Sequence, residues 1–182
     1  MVTAEIYDTL SGAQGSDITS PKTTLAMQWN SSGATGSVQY VMFRLKRQGS
    51  ATGSCKAAVW DGNVVLAESQ TQDVSTWDTS FADIEFDLQE CVTMQDGYRI
   101  GIIYSQTSSD PNMINTEGNR TATPPSSVNG LEYKDGSSWS WYDTANKGYM
   151  NGTFDNQPGS ECGSGPSSAG TRLPPPPAFV RI

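Results

Sequence analysis

Residues 83–88 read Asp-Ile-Glu-Phe-Asp-Leu. In an extended strand successive side chains point to opposite sides, so the three apolar residues of this stretch share one face. The other face is acidic and consists of Asp83, Glu85 and Asp87. This alternation is typical of a strand with one buried and one solvated face. We therefore predict a solvated row of acids, not the two carboxylates that face each other across a glycosidase groove.

Strand patterns recur on both sides of that stretch, whereas no window shows the helical spacing of apolar residues. Residues 38–46 alternate in the same way, and residues 98–105 form the most apolar segment, which we expect at the centre of a sheet. Glycine-containing turn signals lie at 61–63, 96–97, 129–130 and 135–136. Further strands are predicted at 25–29, 55–60, 64–69, 113–117, 130–133, 139–143, 148–154 and 178–182.

Many short strands with glycine-rich turns predict an all-β protein, either a β-sandwich or a barrel. Of these we favour an antiparallel β-sandwich of jelly-roll type. The 182 residues fit a single domain, 1–182. Two segments rich in glycine, serine or proline, at 111–128 and 156–177, are predicted to be long loops. The second ends in four prolines, 174–177, which should form a stiff polyproline II strut before the strand at 178–182.

The composition excludes several classes of function. The chain has no histidine, which removes Ser-His-Asp hydrolysis, Cys-His chemistry and histidine-ligated metals. The net charge of −8 argues against a nucleic-acid partner. No apolar run approaches the ~20 residues of a membrane span, so we expect no membrane insertion. No basic segment followed by an apolar core opens the chain, so we expect no signal peptide. Without a nucleophile–base pair, the chain is not expected to be an enzyme.

An ordered series of segments within 20–143 resembles a known family. The series reads Thr-Gly-Ser-Cys-Lys-Ala-Ala-Val-Trp-Asp at 52–61, Leu-Ala-Glu-Ser at 66–69, Asp-Val-Ser at 73–75, Gly-Tyr-Arg-Ile-Gly-Ile at 97–102 and Tyr-Lys-Asp-Gly-Ser-Ser-Trp at 133–139. It resembles the jelly-roll β-sandwich modules of bacterial and archaeal surface proteins and of phage virion proteins. The resemblance implies a non-enzymatic, carbohydrate-binding or adhesion-like module. Family members close soon after the last segment, which implies that 146–177 is an inserted loop before the final strand.

Aromatic residues cluster near the end of this series. Trp139 and Trp141 have the two-residue spacing that places them on one strand face, with Tyr142 beside them and Tyr133 upstream. Exposed, these four side chains would form a flat platform for a glycan. The alternative is a core tryptophan beside a surface one, or aromatics at a subunit interface.

The cofactor that the loop carboxylates suggest is a calcium ion. A calcium ion would need oxygen ligands, and Asp61, Asp135 and Asp143 are the first candidates because each lies in or beside a predicted turn or strand end. No loop has the EF-hand spacing. The alternative is that the protein has no cofactor.

Three cysteines, Cys55, Cys91 and Cys162, leave the redox chemistry open. No C-x-x-C pair suggests zinc. Cys55 and Cys91 lie in or beside predicted strands and would form a disulfide if those strands are neighbours. Cys162 could instead pair with either one or with another chain, or all three could be free thiols in a reducing cytosol.

These observations favour a structural protein of a virion surface, either a capsid decoration or a fibre component. It would dock through its termini, as a homo-oligomer or onto a protein shell, by adding a strand to a neighbour. The predicted assembly strand consists of Ala178, Phe179, Val180, Arg181 and Ile182. The alternatives are a carbohydrate-binding or adhesion module at the cell surface or outside the cell, with glycans as partners, and an extracellular filament subunit.

Overall fold

The computed structural model describes residues 2–5, 16–18, 23–30, 37–107, 113–119, 128–141, 149–150 and 152–156. These residues contain no helix long and apolar enough to cross a bilayer. A 3-10 turn, Val74–Thr76, accompanies the strands in the described part of the chain. The strands are β1 (Val2–Glu5), β2 (Ser16–Ile18), β3 (Thr24–Trp29), β4 (Ser37–Gln48), β5 (Gly53–Asp61), β6 (Val64–Glu68), β7 (Gln72–Asp73), β8 (Ala82–Thr93), β9 (Arg99–Gln106), β10 (Met113–Thr116), β11 (Gly118–Asn119), β12 (Val128–Asp135), β13 (Ser138–Trp141), β14 (Tyr149–Met150) and β15 (Gly152–Asn156).

Sheet 1 is built around the long strand β4 and has the order β1-β15-β4-β10-β2. The strand β8 pairs with one edge of β4. The other edge of β4 is shared, because β15 pairs with residues 38–43 and β10 pairs with residues 45–48. At the far side β1 pairs with β15, from Val2 opposite Asn156 to Glu5 opposite Thr153. Every pairing in this sheet is antiparallel.

Sheet 2 has the order β13-β12-β3-β9-β5-β6, and the short β7 pairs with the start of β5. Its pairings are also antiparallel. The apolar strand β9 lies between β3 and β5, which confirms its predicted central position. A bridge between Ser69 and Leu88 connects the β6 side of sheet 2 to β8 of sheet 1. A separate two-stranded pair joins β11 to β14.

The two antiparallel sheets pack together as in a β-sandwich, so the all-β prediction is confirmed. The alternation of 83–88 also has the predicted outcome. Phe86 and Leu88 are buried in the core, while the three acids on the other face are exposed. Sheet 1 contributes Val41, Phe43 and Leu45 to this core. Sheet 2 contributes Leu25, Met27, Val59, Ile100, Ile102 and Leu131.

One predicted turn is wrong, because Asn129-Gly130 lies inside β12 rather than between strands. The register of β12 against β3 shifts between Val128 and Gly130, and Gly130 adopts φ 143. A bulge of this kind inserts an extra residue into a strand and favours glycine. The other turn signals are confirmed, at Gly62, Gly97 and Gly136.

The C-terminal part of the chain is described only as far as Asn156. The range 146–177, expected to be an insertion, contains β14 and β15, and β15 pairs with both β1 and β4. That portion of the range is therefore an integral strand of sheet 1. The polyproline strut at 174–177 and the final strand at 178–182 lie outside the described residues.

Candidate functional site

The outer face of sheet 2 carries a row of small residues across three adjacent strands. Ala26 of β3 and Ala58 of β5 both lie opposite Gly101 of β9 in the strand register. All three are buried although they point away from the main core. Glu132 of β12 continues the row, opposite Ala26. Small residues leave a trough on a sheet face, so a larger group must cover them.

The covering group is Trp139 of β13, which packs with Trp60 against the two alanines. The indole rings of Trp60 and Trp139 meet edge to face, with centroids 5.2 Å apart. The Trp139 N–H donates to the carbonyl oxygen of Gly62 at 2.9 Å. Four strand spacings separate β13 from β5, which is roughly 19 Å across a flat sheet. The sheet therefore curls, and the β12–β13 hairpin comes over its outer face.

Charged side chains complete this covered surface. The Arg99 guanidinium and the Lys134 ammonium lie over the Trp139 ring, 5.0 and 5.5 Å from its centroid, which is cation–π geometry. Arg99 also donates two hydrogen bonds to Glu132, from Nε at 2.6 Å and from an Nη at 3.3 Å. The side chains of Arg99 and Glu132 are only 13% and 5% exposed. The surface thus contains a shielded, bidentate ion pair beneath an aromatic cover.

The predicted glycan platform is divided by this arrangement. Tyr133 packs against the main core, so it lies on the face opposite Trp139. Trp141 is half-buried and pairs in register with Glu132, on the same side as Trp139. Tyr142 lies outside the described residues. The structure therefore brings Trp139 and Trp141 to one face and separates Tyr133 from them, while the contacts of Trp139 are largely internal.

These contacts predict that Trp139 acts mainly in stability. A Trp139→Ala substitution should lower the free energy of unfolding by about 2–4 kcal/mol, because it uncovers the alanine trough and removes an aromatic pair. Urea denaturation measures the loss. The control is Val64→Ala, for which we expect a much smaller loss because the Val64 side chain is 64% exposed. A Trp139→Ala protein that keeps the parent stability and loses only sugar binding would contradict this interpretation and support the platform.

The calcium candidates are only partly described. Asp61 is exposed at the end of β5, and Asp135 ends β12, whose turn to β13 contains Gly136. Asp143 lies outside the described residues. Among the described residues no group of three or more Cys, Asp or Glu side chains is arranged to hold a metal ion. The calcium hypothesis therefore stays an untested prediction.

The predicted Cys55–Cys91 disulfide is wrong. Cys55 is a free thiol, fully buried on the inner face of sheet 2, whereas Cys91 is disulfide-bonded and belongs to β8 of sheet 1. The two strands lie in different sheets and are not ladder neighbours, so the condition set for that pairing is not met. Burial raises the pKa of the Cys55 thiol well above its usual range, so it is not a reactive thiolate. Cys162 lies outside the described residues.

A second surface is the outer edge of sheet 2. The large hydrophobic side chains that are exposed within the described part of the chain are Val64 and Val65, at 64% and 42%. Both belong to β6, whose ladder partner among the described strands is β5. A groove of about 410 Å³ lies along this edge. It is lined by Val65, Leu66, Ala67, Glu68, Gln89 and Glu90.

Comparison with known proteins returns no match. No family model matches the chain, and no curated protein or solved structure gives a significant similarity. The geometry of the two surfaces is therefore the basis for a functional proposal.

The β6 edge was not identified as a site by sequence reasoning, although a signal was present. The tetrapeptide Val64-Val65-Leu66-Ala67 is apolar without alternation, and it follows directly on the turn at Gly62. A half-buried strand in a sandwich should alternate, so a continuous apolar run next to a turn is the pattern of an additional contact surface.

Proposed function

We propose that this protein is a non-enzymatic structural component, a subunit of a multi-copy virion surface such as a capsid decoration or a fibre. Its subunits associate by strand addition along the outer edge of β6, where main-chain hydrogen bonds supply affinity and side-chain pockets supply specificity. A jelly-roll arrangement of the two sheets belongs to the same proposal. The ordered resemblance of residues 20–143 to jelly-roll surface modules supports both the topology and the virion location.

The exposed apolar edge of β6 is the observation that carries this proposal. Natural sheets protect their edges with charged residues, prolines or bulges, because an open edge pairs with other chains. The edge strand β8 of sheet 1 follows that rule, since its outward side chains are the exposed acids Asp83, Glu85 and Asp87. In β6 the first charged residue is Glu68, at the end of the strand. A bulge at Leu66 interrupts the pairing of β6 with β5, because Val59 pairs with Ala67 and Trp60 with Val65. Val64 and Val65 nevertheless stay exposed at this edge, and an exposed apolar pair is expected where a partner covers it.

The carbohydrate-binding alternative has weaker support. It needs an exposed aromatic surface, and the structure places Tyr133 on the inner face and holds Trp139 by contacts with Trp60, Gly62 and Arg99. The assembly function needs an accessible edge, and among the described residues Val64 and Val65 of β6 are exposed.

Substitution of Val65 by lysine tests the proposal. A buried ammonium within a strand-addition interface should weaken self-association at least ten-fold, because its charge would lose water without gaining a partner. Light scattering over a concentration series should show the parent as an oligomer and the Val65→Lys variant as a monomer. The melting temperature should change little, since Val65 is exposed in the single subunit.

Ser75→Lys is the matched control, because it adds the same charge at an exposed residue of the 3-10 turn. That turn lies next to Asp73, which pairs with Ser54 at the opposite end of β5 from the Trp60–Val65 pair. The control should assemble as the parent does. The proposal fails if Val65→Lys assembles like the parent, or if the parent is monomeric at all concentrations tested.

A further inference from the structure

We propose that the groove between β6 and β8 receives residues 178–182 of a second copy of this chain, which add to β6 as an extra strand. This inference rests on the proposed function, since it names the partner of the same edge. It is carried by three independent properties: the shape of the groove, the charge of its walls, and the reach of the segment.

The groove has the form of a strand acceptor. Its floor is the edge of β6 at Val65, Leu66 and Ala67, and its opposite wall is the part of β8 at Gln89 and Glu90. Its volume of about 410 Å³ lies within the range of ~300–1,000 Å³ that is usual for ligand pockets. The Ser69–Leu88 bridge joins the two strands at one end. The groove is therefore an open and largely polar depression alongside a strand edge, limited at one end by that bridge.

Irregular pairing of β8 forms the second wall. The register of β4 against β8 runs from Val38 opposite Val92 to Tyr40 opposite Asp87. Two steps along β4 thus correspond to five along β8, so residues 88–91 bulge out of the ladder. A bulge bends the strand locally and turns its side chains away from the regular register. This is how Gln89 and Glu90 come to line the groove beside β6.

The charges of the groove and of the segment are complementary. Glu68 and Glu90 line the groove, and the segment Ala178-Phe179-Val180-Arg181-Ile182 contains one cation and four apolar residues. Glu68 already forms a salt bridge with Lys56. Glu90 is exposed and forms no salt bridge among the described residues. Arg181 therefore has an available carboxylate partner at Glu90.

The segment can reach a neighbouring molecule. Residues 156 and 178 are separated by 22 steps along the chain, which span up to roughly 75 Å when extended. A domain of 182 residues has a radius of gyration of about 16 Å, so this reach exceeds its diameter. The four prolines at 174–177 precede the segment and cannot form a tight hairpin. The strut predicted for the four prolines would hold the segment extended, and the 17 residues before it supply enough length to place the segment on another subunit.

The resulting contact joins two different surfaces, the edge of one subunit and the segment of the next. Such a heterologous interface closes into a ring if the rotation between subunits permits it, and otherwise continues as a filament. Both forms agree with a multi-copy surface component, and the number of subunits follows from the rotation alone.

Cysteine cross-linking between full-length chains tests the inference. One chain carries Val65→Cys and the other Val180→Cys, and equal amounts are mixed and mildly oxidised. We expect a disulfide-linked dimer that contains one chain of each kind, at least ten-fold above the control pair of Ser75→Cys with Val180→Cys. The native Cys55 is fully buried and Cys91 is already disulfide-bonded, so neither should contribute to this product. A yield equal to that of the control overturns the inference.

A single chain with both cysteines distinguishes the source of the segment. An internal cross-link in that chain, together with no dimer from the mixed chains, would show that the segment occupies its own groove and would overturn the second-copy assignment. Two substitutions distinguish a failure of this inference from a failure of the proposed function. If Val65→Lys abolishes assembly but Phe179→Asp does not, the β6 edge is an interface and the segment is not its occupant. If Val65→Lys leaves assembly intact, the proposed function itself fails.

Discussion

A Gly101→Ala variant should be severely destabilised, with a loss of at least ~4 kcal/mol in the free energy of unfolding. A Cβ at this position would lie 2.0 Å from the carbonyl oxygen of Leu25 and 2.5 Å from the Cα of Ala26. Both are main-chain atoms of β3, which is hydrogen-bonded to β9 at this point. The clash can be relieved only by moving one strand away from the other, at the centre of sheet 2.

Urea denaturation and the yield of folded protein measure this effect, and Gly62→Ala is the matched control. Gly62 has φ +55 but no heavy atom within 4 Å of the added Cβ. Its substitution should cost only the ~1–2 kcal/mol of a left-handed conformation. If the two variants have equal denaturation midpoints, the close approach of β3 and β9 at Gly101 is not a determinant of the fold.

Removal of Glu132 should have the second largest effect. Its carboxylate receives both hydrogen bonds from Arg99, and both side chains are almost completely shielded from water. Breaking such a pair leaves one uncompensated buried charge, so Glu132→Ala should destabilise the fold by about 3–5 kcal/mol. Arg99 would also lose the partner that orients it over Trp139.

Two further variants separate the pair from its surroundings. Replacing both partners, with Arg99→Met and Glu132→Leu together, should restore most of the lost stability because no unpaired charge remains. Asp83→Asn removes the negative charge that pairs with Arg44. The side chains of Asp83 and Arg44 are 52% and 42% exposed, so this change should cost less than ~1 kcal/mol. Thermal unfolding of the three proteins measures the differences. Equal losses for Glu132→Ala and Asp83→Asn would show that the Arg99–Glu132 pair is effectively solvated.

The strands that the sequence predicts well are those in which the pattern of apolar and polar side chains reflects which faces of the strand are buried. In β8 and β4 one face is apolar and the other polar, because one face covers the core and the other meets water. In β9 the apolar run reflects burial between two neighbouring strands. Short strands contain too few residues to show such a pattern. The strands β1, β2, β7 and β11 were not predicted, since two to four residues cannot establish an alternation.

The Asn129-Gly130 bulge shows why an identical local signal can have two outcomes. The same dipeptide type marks real turns at Asp96-Gly97 and Asp135-Gly136. In β12 the Asn129 amide instead donates to Gln28 at 3.0 Å and accepts from Asn30 at 3.1 Å. Both partners belong to the chain near β3, about a hundred residues away in the sequence. Only the tertiary pairing distinguishes a bulge from a turn here.

The candidate sites were less predictable than the strands for the same reason. Spacing places Trp139 and Trp141 on one face, but it does not reveal that the hairpin folds over Ala26 and Ala58. The cysteine pairing depends on which sheet each strand joins, and Cys55 and Cys91 join different sheets. The exposure of Val64 and Val65 likewise depends on the position of β6 at the end of the strand order, which the sequence does not show.

The pairing of β1 with β15 has a consequence for how the chain must fold in a cell. A ribosome adds about 5–20 residues per second, so roughly 8–30 seconds separate the synthesis of Val2 from that of Asn156. During that interval neither β1 nor the shared edge of β4 has its final partner β15. Contacts so distant in sequence also slow folding after release. Newly made chains therefore expose unpaired strand edges at β1 and β4 for a time, and high expression should favour aggregation at this stage.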